Sequence, residues 1–368
     1  MSHKQSNKLT LLGALPPPIF GLSAVNAAVQ DALLDDHADI IVINTSAKGL
    51  NRSLLFRLLR FPVMLKALLL MGFRPALTHS TLYMSLSGGW GQFYECLFLL
   101  FARARRMRII IHHHSFAYLT QPSRLTWLVT RLAGRQCLHI ALCPGMATTL
   151  QNYYSAVQRV VVLSNTVFIN AQSLPSALPH KQLKTIGFIS NISAEKGILT
   201  FLDIAQACEQ EDLPVSALIA GPYESDPIRL QVENHIHSLS SVRAIGPQYG
   251  DDKARFFAQI DVLIFPTNYK NEAEPLILYE AMENGIPVIT YGRGCIADRL
   301  SGGAGLVIDP EADFITPALN KIRQWLTSPD DFQRACEDAR QQITTIRQEN
   351  TITWEALKRT MITQDEWK

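Results

Sequence analysis

The sequence predicts an α/β chain made of two doubly wound domains, and three observations carry that prediction. Short apolar runs alternate with helical patterns along all 368 residues, the signature of parallel strands joined by crossover helices. A polar, proline-punctuated stretch at 170–180 interrupts the alternation and reads as a linker. The charge balance breaks at the same place. Residues 1–180 hold 16 Lys and Arg against 5 Asp and Glu, while the remainder holds 18 against 27. Each half is long enough to bury its own core.

In chain order, strands are expected near 10–15, 39–44, 81–85, 108–112, 140–142 and 160–163. A second series is expected near 185–189, 217–220, 242–245, 262–265, 288–291 and 306–307. The domains then run 1–170 and 184–345, and residues 346–368 form a terminal helix patterned on Trp354, Leu357 and Met361. In doubly wound sheets ligands bind beyond the carboxyl ends of the strands, so functional residues are sought in the loops that follow them.

Composition narrows the function class. Hydrophobic content of 47% and charged content of 18% are globular values. No apolar run reaches the roughly 18 residues that span a bilayer, and residues 1–12 lack a cleavable signal pattern, so a cytoplasmic protein is expected. The six cysteines show no C-x-x-C pair and no metal-ligand spacing. Between Asp39 and Glu195 the only acid is Glu95, and so basic a first half implies an anionic partner. Nucleic acid is not that partner, because no recognition module occurs and aromatics do not interleave the basic clusters.

The most informative segment is 271–289. Glu272 and Glu280 flank the start of a short helix for which Pro275 suits the first position, Gly285 the residue past the end, and Pro287 the stop. One carboxylate sits in the loop and the other about a turn inside the helix. Between them the free N–H groups of a helix start form an anion site. A nucleotide sugar needs these parts: carboxylates for sugar and ribose hydroxyls, and N–H donors for a diphosphate.

This segment resembles the E-x7-E signature of retaining glycosyltransferases with the two-domain GT-B fold, family 4 (group 1). Glu272, Glu280, Ala281, Met282, Gly285, Pro287 and Val288 match it; Glu274 and Pro275 stand where the family has Phe and Gly. The resemblance implies two Rossmann-like domains facing a cleft, with the terminal helix returning to the first domain. It implies that Glu272 positions the donor sugar and Glu280 the ribose. The backbone at Pro275, Leu276 and Ile277 would meet the diphosphate.

Other motifs extend the resemblance over roughly 184–307. After the strand at 185–189, Lys196 and Gly197 match the family's Glu-Lys-Gly, whose Lys grips the diphosphate, but Asn191 occupies the place of its Arg. Gly221 and Pro222 end another strand as in the family's Gly-Pro. Gly246 and Pro247 fall where family members contact the nucleobase through backbone. Residues 261–267 match the run that precedes the E-x7-E.

The first domain matches loosely. Residues 13–23 form a Gly/Pro loop in which Phe20 replaces the first of two usual glycines, so Gly21 alone carries over; a plain strand–helix turn is the equal alternative. His112, His113 and His114 close the strand at 108–112, with His112 and His114 on one face. The family carries a His near the transferred sugar here, and His114 aligns best; His113 reads as a core histidine. From Arg52 to Met71 runs a helix with Arg52, Arg57, Arg60 and Lys66 among large apolar residues and no acid. Arg103, Arg105, Arg106 and Arg108 form a second cluster. These clusters either dock on an anionic membrane or belong to a buried helix with snorkelling cations.

No D-x-D triplet occurs, so transfer without a metal is expected, with His114, Glu272 and Lys196 as the catalytic set. The resemblance implies transfer from a UDP- or GDP-sugar to a saccharide, lipid-linked in the membrane reading, in assembly of surface polysaccharide such as lipopolysaccharide, capsule or exopolysaccharide. A GT-B sugar-nucleotide epimerase or a non-catalytic nucleotide-binding subunit are the alternatives.

Overall fold

The computed structural model describes residues 8–18, 21–36, 39–46, 54–169, 182–300 and 303–363. They fall into two compact units, Met1–Phe168 with Gln348–Lys368, and Ile169–Arg347. The stretch at 170–180 expected to be the linker lies outside the described residues, as does Arg52.

The first unit holds a six-stranded sheet of β1 (Leu9–Gly13), β2 (Ile40–Asn44), β3 (Thr81–Leu86), β4 (Arg108–His113), β5 (Leu138–Ala141) and β6 (Arg159–Val162), in the order β2-β1-β3-β4-β5-β6. Every pairing is parallel. Such strands must bury both faces, and β1, β3 and β5 are buried at every position. Right-handed crossovers put the helices Leu54–Phe73, Gln92–Ala104 and Arg124–Ala133 on one face of this sheet. The helix Gly21–Asp35 lies on the other.

The second unit repeats the plan with β7 (Thr185–Ile189), β8 (Ser216–Ala220), β9 (Val242–Ala244), β10 (Val262–Phe265), β11 (Val288–Tyr291) and β12 (Gly305–Ile308), ordered β12-β11-β10-β7-β8-β9 and again parallel. A doubly wound α/β fold with two parallel sheets is therefore what the chain forms. All twelve expected strands are present, with no end displaced by more than two residues.

Residues 346–363 are not a separate element. They end one helix, Pro329–Thr363, within which the division between units falls. Its last part is fastened to the first unit: the Ser164 amide donates to Asn350 Oδ1 at 2.7 Å, Arg108 donates to the Thr360 carbonyl at 3.1 Å, and Lys358 pairs with Asp36 at 2.9 Å. Among the described residues no helix is long and apolar enough to cross a membrane.

Each sheet has one place where the strand order reverses, between β1 and β3 in the first unit and between β7 and β10 in the second. There the chain leaves neighbouring strands in opposite directions and opens a crevice at their carboxyl ends. Two glycines in the second unit are required beside its crevice. At Gly197, φ is +86° and a Cβ would overlap the Pro266 carbonyl; at Gly221, φ is +136° and a Cβ would overlap the Ser190 carbonyl. The backbones after β7, β8 and β10 can approach only because these side chains are missing.

Gly221→Ala is expected to destabilise the second unit by about 2 kcal/mol or more, read as a lowered denaturant midpoint for that unit.

Candidate functional site

In the second unit the site is built at the β7–β10 reversal. After β7, a turn closed by the Lys196 amide on the Ser193 carbonyl (3.2 Å) and the Gly197 amide on that of Ala194 (3.0 Å) launches the helix Ile198–Gln210. Lys196 is thereby placed beside β10. Its ammonium contacts Glu272 Oε2 and lies 4.8 Å from the Tyr269 ring centroid and 5.5 Å from that of Phe265, so two aromatic faces and a carboxylate fix one cation. Thr267 donates to the same Oε2 at 3.2 Å. The Asn268 amide donates to the Glu195 carbonyl at 2.7 Å, tying the two loops together.

The loop carrying Glu272 is held from below as well. Glu274 is buried, accepts from the Tyr279 hydroxyl at 2.7 Å and faces Arg299 Nε at 3.4 Å. The Cys295 amide donates to the Ala273 carbonyl at 2.8 Å, and a Cβ on Gly294 would come within 2.6 Å of the Glu272 and Ala273 carbonyls. Then the helix Leu276–Glu283 begins. Pro275 is its N-cap, with φ −73° and ψ 120°, rather than its first residue as the sequence suggested; no side chain caps the helix. The amides at Leu276 and Ile277 thus remain for an anion. Gly285, at φ +63°, ends the helix as expected.

Glu280 lies a turn further on and forms an ion pair with Lys253, on the helix Gly250–Phe257 that follows β9. Asn191 and Pro247 are exposed, and Gly246 has φ +75° with open space where a Cβ would stand. Of the sequence-predicted residues, Lys196, Glu272, Pro275, Leu276, Ile277 and Glu280 come together at one helix start, and Asn191, Gly221, Gly246 and Pro247 lie on neighbouring strand ends. Sequence reasoning missed Thr267 and Tyr269, which hold the Lys196–Glu272 pair, and Lys253. No motif signals Lys253, whose role is visible only from its contact.

His114 and Gly21 belong to the first unit. Gly21 opens the helix Gly21–Asp35, with open space about it and a φ any residue adopts, so the protein's own packing does not demand a glycine. Ile19 and Phe20 lie outside the described residues. His113 is a core histidine: its Nδ1 is 2.9 Å from the Tyr118 hydroxyl and its Nε2 3.0 Å from His139 Nδ1. His112 Nδ1 lies 2.6 Å from the Tyr83 hydroxyl in a buried hydrogen bond. The rings of His112 and His114 lie against each other, centroids 3.9 Å apart and tilted by 47°. Their Nε2 atoms are buried without a hydrogen-bond partner among the described residues, the condition that calls for a water or ligand. Burial lowers His114 to about 3 and His139 to about 4, so His114 is a neutral hydrogen-bonding group at physiological pH. Among the described residues no group of three His, Cys, Asp or Glu is arranged to hold a metal ion.

A small, partly open recess lies at the β1–β3 reversal of this unit, lined among others by Gly13, Ser85, Tyr94, Glu95 and Phe98. It offers hydroxyls and a carboxylate beside apolar walls.

Comparison with known proteins follows this geometry. Residues 172–342 match the model of the family described as glycosyl transferases group 1. No curated protein matches the chain. Among solved structures, Anabaena HepE in complex with UDP-glucose superposes with a TM-score of 0.65 at 17% identity, covering 95% of this chain and 99% of that one. The sucrose-phosphate synthase of Thermosynechococcus elongatus gives 0.68 at 15%, covering 98% and 100%. WaaG, a glycosyltransferase involved in lipopolysaccharide biosynthesis, gives 0.63 at 13%, covering 96% and 99%. The fold is thus that of GT-B glycosyltransferases.

The histidine cluster sets an acid limit. His112, His113, His114 and His139 all have lowered pKa values in the folded chain, whereas the unfolded chain protonates near 6.5. Between those values the unfolded state binds more protons, so stability is full above about pH 6.5 and falls as pH drops toward 4. Melting temperature against pH should show this slope, and His139→Gln should flatten it.

Proposed function

We propose that the chain is a retaining glycosyltransferase of family 4 type that takes a UDP- or GDP-sugar as donor. The observation that carries this reading is the convergence of Lys196, Glu272 and an uncapped helix start at the strand reversal of the unit that matches the group 1 model. A donor sugar at Glu272 donates hydroxyl hydrogen bonds to a carboxylate that Thr267 already orients. Its diphosphate takes the amides of Leu276 and Ile277 together with the Lys196 ammonium, and Glu280 takes the ribose. As the glycosidic bond breaks, negative charge grows on the departing phosphate. Fixed donors there lower the barrier because they are oriented before the reaction starts. His114, neutral and with an unfilled Nε2, orients a sugar hydroxyl near the anomeric carbon rather than supplying charge. No residue is assigned as a covalent nucleophile, and no metal is assigned to the reaction.

The acceptor is proposed to be a saccharide bound on the first unit, lipid-linked and destined for surface polysaccharide. Support comes from the outer face of that unit. On the helix Leu54–Phe73, Phe61, Leu65, Leu69 and Phe73 repeat every fourth residue and are exposed, with Phe73 79% exposed. Trp90, Phe93 and Leu100, and then Trp127 and Leu128, continue apolar surface over the neighbouring helices. Arg105 donates to the Gly72 and Arg74 carbonyls, and Arg103 to that of Leu132, so three helices are laced edge to edge by cations. Lys66, Arg74, Arg106 and Arg131 are exposed around them. Apolar side chains ringed by cations, with Glu95 the one acid of the region, suit an anionic bilayer surface and a peripheral place on the inner face of the cytoplasmic membrane.

Three outcomes test the reading. Screening nucleotide sugars should yield one donor that is hydrolysed or transferred, with activity retained in EDTA and cut by about 10²-fold or more in Glu272→Ala. The product should keep the donor's anomeric configuration, and inversion would remove the retaining assignment. Anionic vesicles should retain the protein at low salt, with retention lost in Leu65→Glu/Leu69→Glu at unchanged donor hydrolysis.

A further inference from the structure

We propose that Lys253 reads the ribose of the donor nucleotide, donating to the vicinal diol whose protons Glu280 accepts. The inference rests on the donor reading above and adds to it a residue that no motif predicts. Lys253 stands on the helix Gly250–Phe257 and holds its ammonium against Glu280 Oε2. Asp252, in the first turn of the lysine's own helix, is taken by Arg255. The two side chains are 30% and 23% exposed, although the Glu280 Oε2 atom that meets the lysine is itself buried. The next glutamate along the same helix behaves otherwise. Glu283 is buried against Arg347, and burial raises its carboxyl pKa, as expected of a structural pair. Glu280 and Lys253 therefore form the pair on the accessible side of the helix.

The chemistry of a diol explains why both are needed. Each hydroxyl has one proton to give and lone pairs to fill, whereas a carboxylate only accepts and an ammonium only donates. Glu280 alone would satisfy the protons and leave the oxygen lone pairs to water. Adding Lys253 supplies both halves. Position agrees: the loop at 245–249, with Gly246 at φ +75° and Tyr249 exposed, immediately precedes the lysine's helix. A nucleoside with its base on that loop and its phosphates at Leu276 sets its ribose over the pair. Charge agrees as well. Glu280 near a diphosphate would repel it, and Lys253 cancels that charge. With Lys196 facing Glu272, the site then carries two cations and two anions.

Calorimetric titration of the full chain with UDP and GDP, and with their 2′,3′-dideoxy counterparts, tests this. The wild type should bind the ribonucleotide about tenfold or more tightly than the dideoxy form. Lys253→Met should lose most of that ratio by weakening ribonucleotide binding alone, and Lys253→Arg should keep it. The ratio is measured within one variant, so a partly unfolded preparation does not distort it. Equal weakening of both forms would assign Lys253 to the phosphates and overturn the proposal. So would an unchanged ratio. If the wild type binds no nucleoside diphosphate, the donor reading fails and takes this one with it; if it binds and the ratio ignores Lys253, the donor reading stands alone.

Discussion

The contact between Lys196 and Glu272 is the constraint on which the candidate donor site depends. It joins residues 76 apart in sequence, and only the order of the sheet makes them neighbours. Because β10 lies beside β7 rather than beyond β9, the loop after one strand opens onto the loop after the other. Gly197 lets the first loop pass under the Pro266 carbonyl. Pro266 and Thr267 then turn the second loop so that Glu272 points back. A side chain at 197 or a different strand order would leave each charge in solvent, where such a pair is worth little.

Pairing in the ligand-free chain also shapes what the site can accept. A phosphate that takes Lys196, whose ammonium two aromatic rings also hold, must displace a carboxylate that Thr267 holds. Displacing it without compensation leaves a largely buried carboxylate short of a partner, which is costly. A ligand that brings hydroxyls for Glu272 along with phosphate for Lys196 removes that cost. The pair therefore favours a ligand that carries both hydroxyls and phosphate over phosphate alone, a selectivity that neither residue has singly.

Much of this was legible in the sequence because parallel strands buried on both faces advertise themselves. Runs such as Val262–Phe265 and Val288–Tyr291 contain nothing a surface would tolerate, and their loops carry the residues whose types are restricted. Gly221 and Gly285 were legible for the same reason, since one needs close backbone approach and the other a positive φ. What escaped has a physical explanation too. Pro275 caps its helix instead of beginning it, because ψ near 120° places it outside the helical region. Lys253 escaped because a flexible side chain with an ordinary helical backbone leaves no local signal. The histidine pattern gave the faces correctly, yet only burial shows that His114 is neutral, which changes what it can do.

Glu274 and Pro275, the step that departs from the resembling pattern, can be assigned by the same reasoning. An apolar residue at 274 would anchor the loop by packing. Here a carboxylate does so, with its side chain 1% exposed, between Tyr279 and Arg299. Replacing packing by a buried ion pair seldom adds stability, since desolvation offsets most of the attraction. It does add direction, because the Tyr279 hydroxyl and the Arg299 guanidinium accept the loop in one orientation only. Pro275 works alongside it by fixing φ at −73°. Glu274 lies on the anchored side of the loop, whereas Pro275 is the N-cap that immediately precedes the amides of Leu276 and Ile277. The departure therefore changes how the helix start is held and also what it presents, since proline at 275 has no N–H to offer, and Asn191 is the other departure from the pattern.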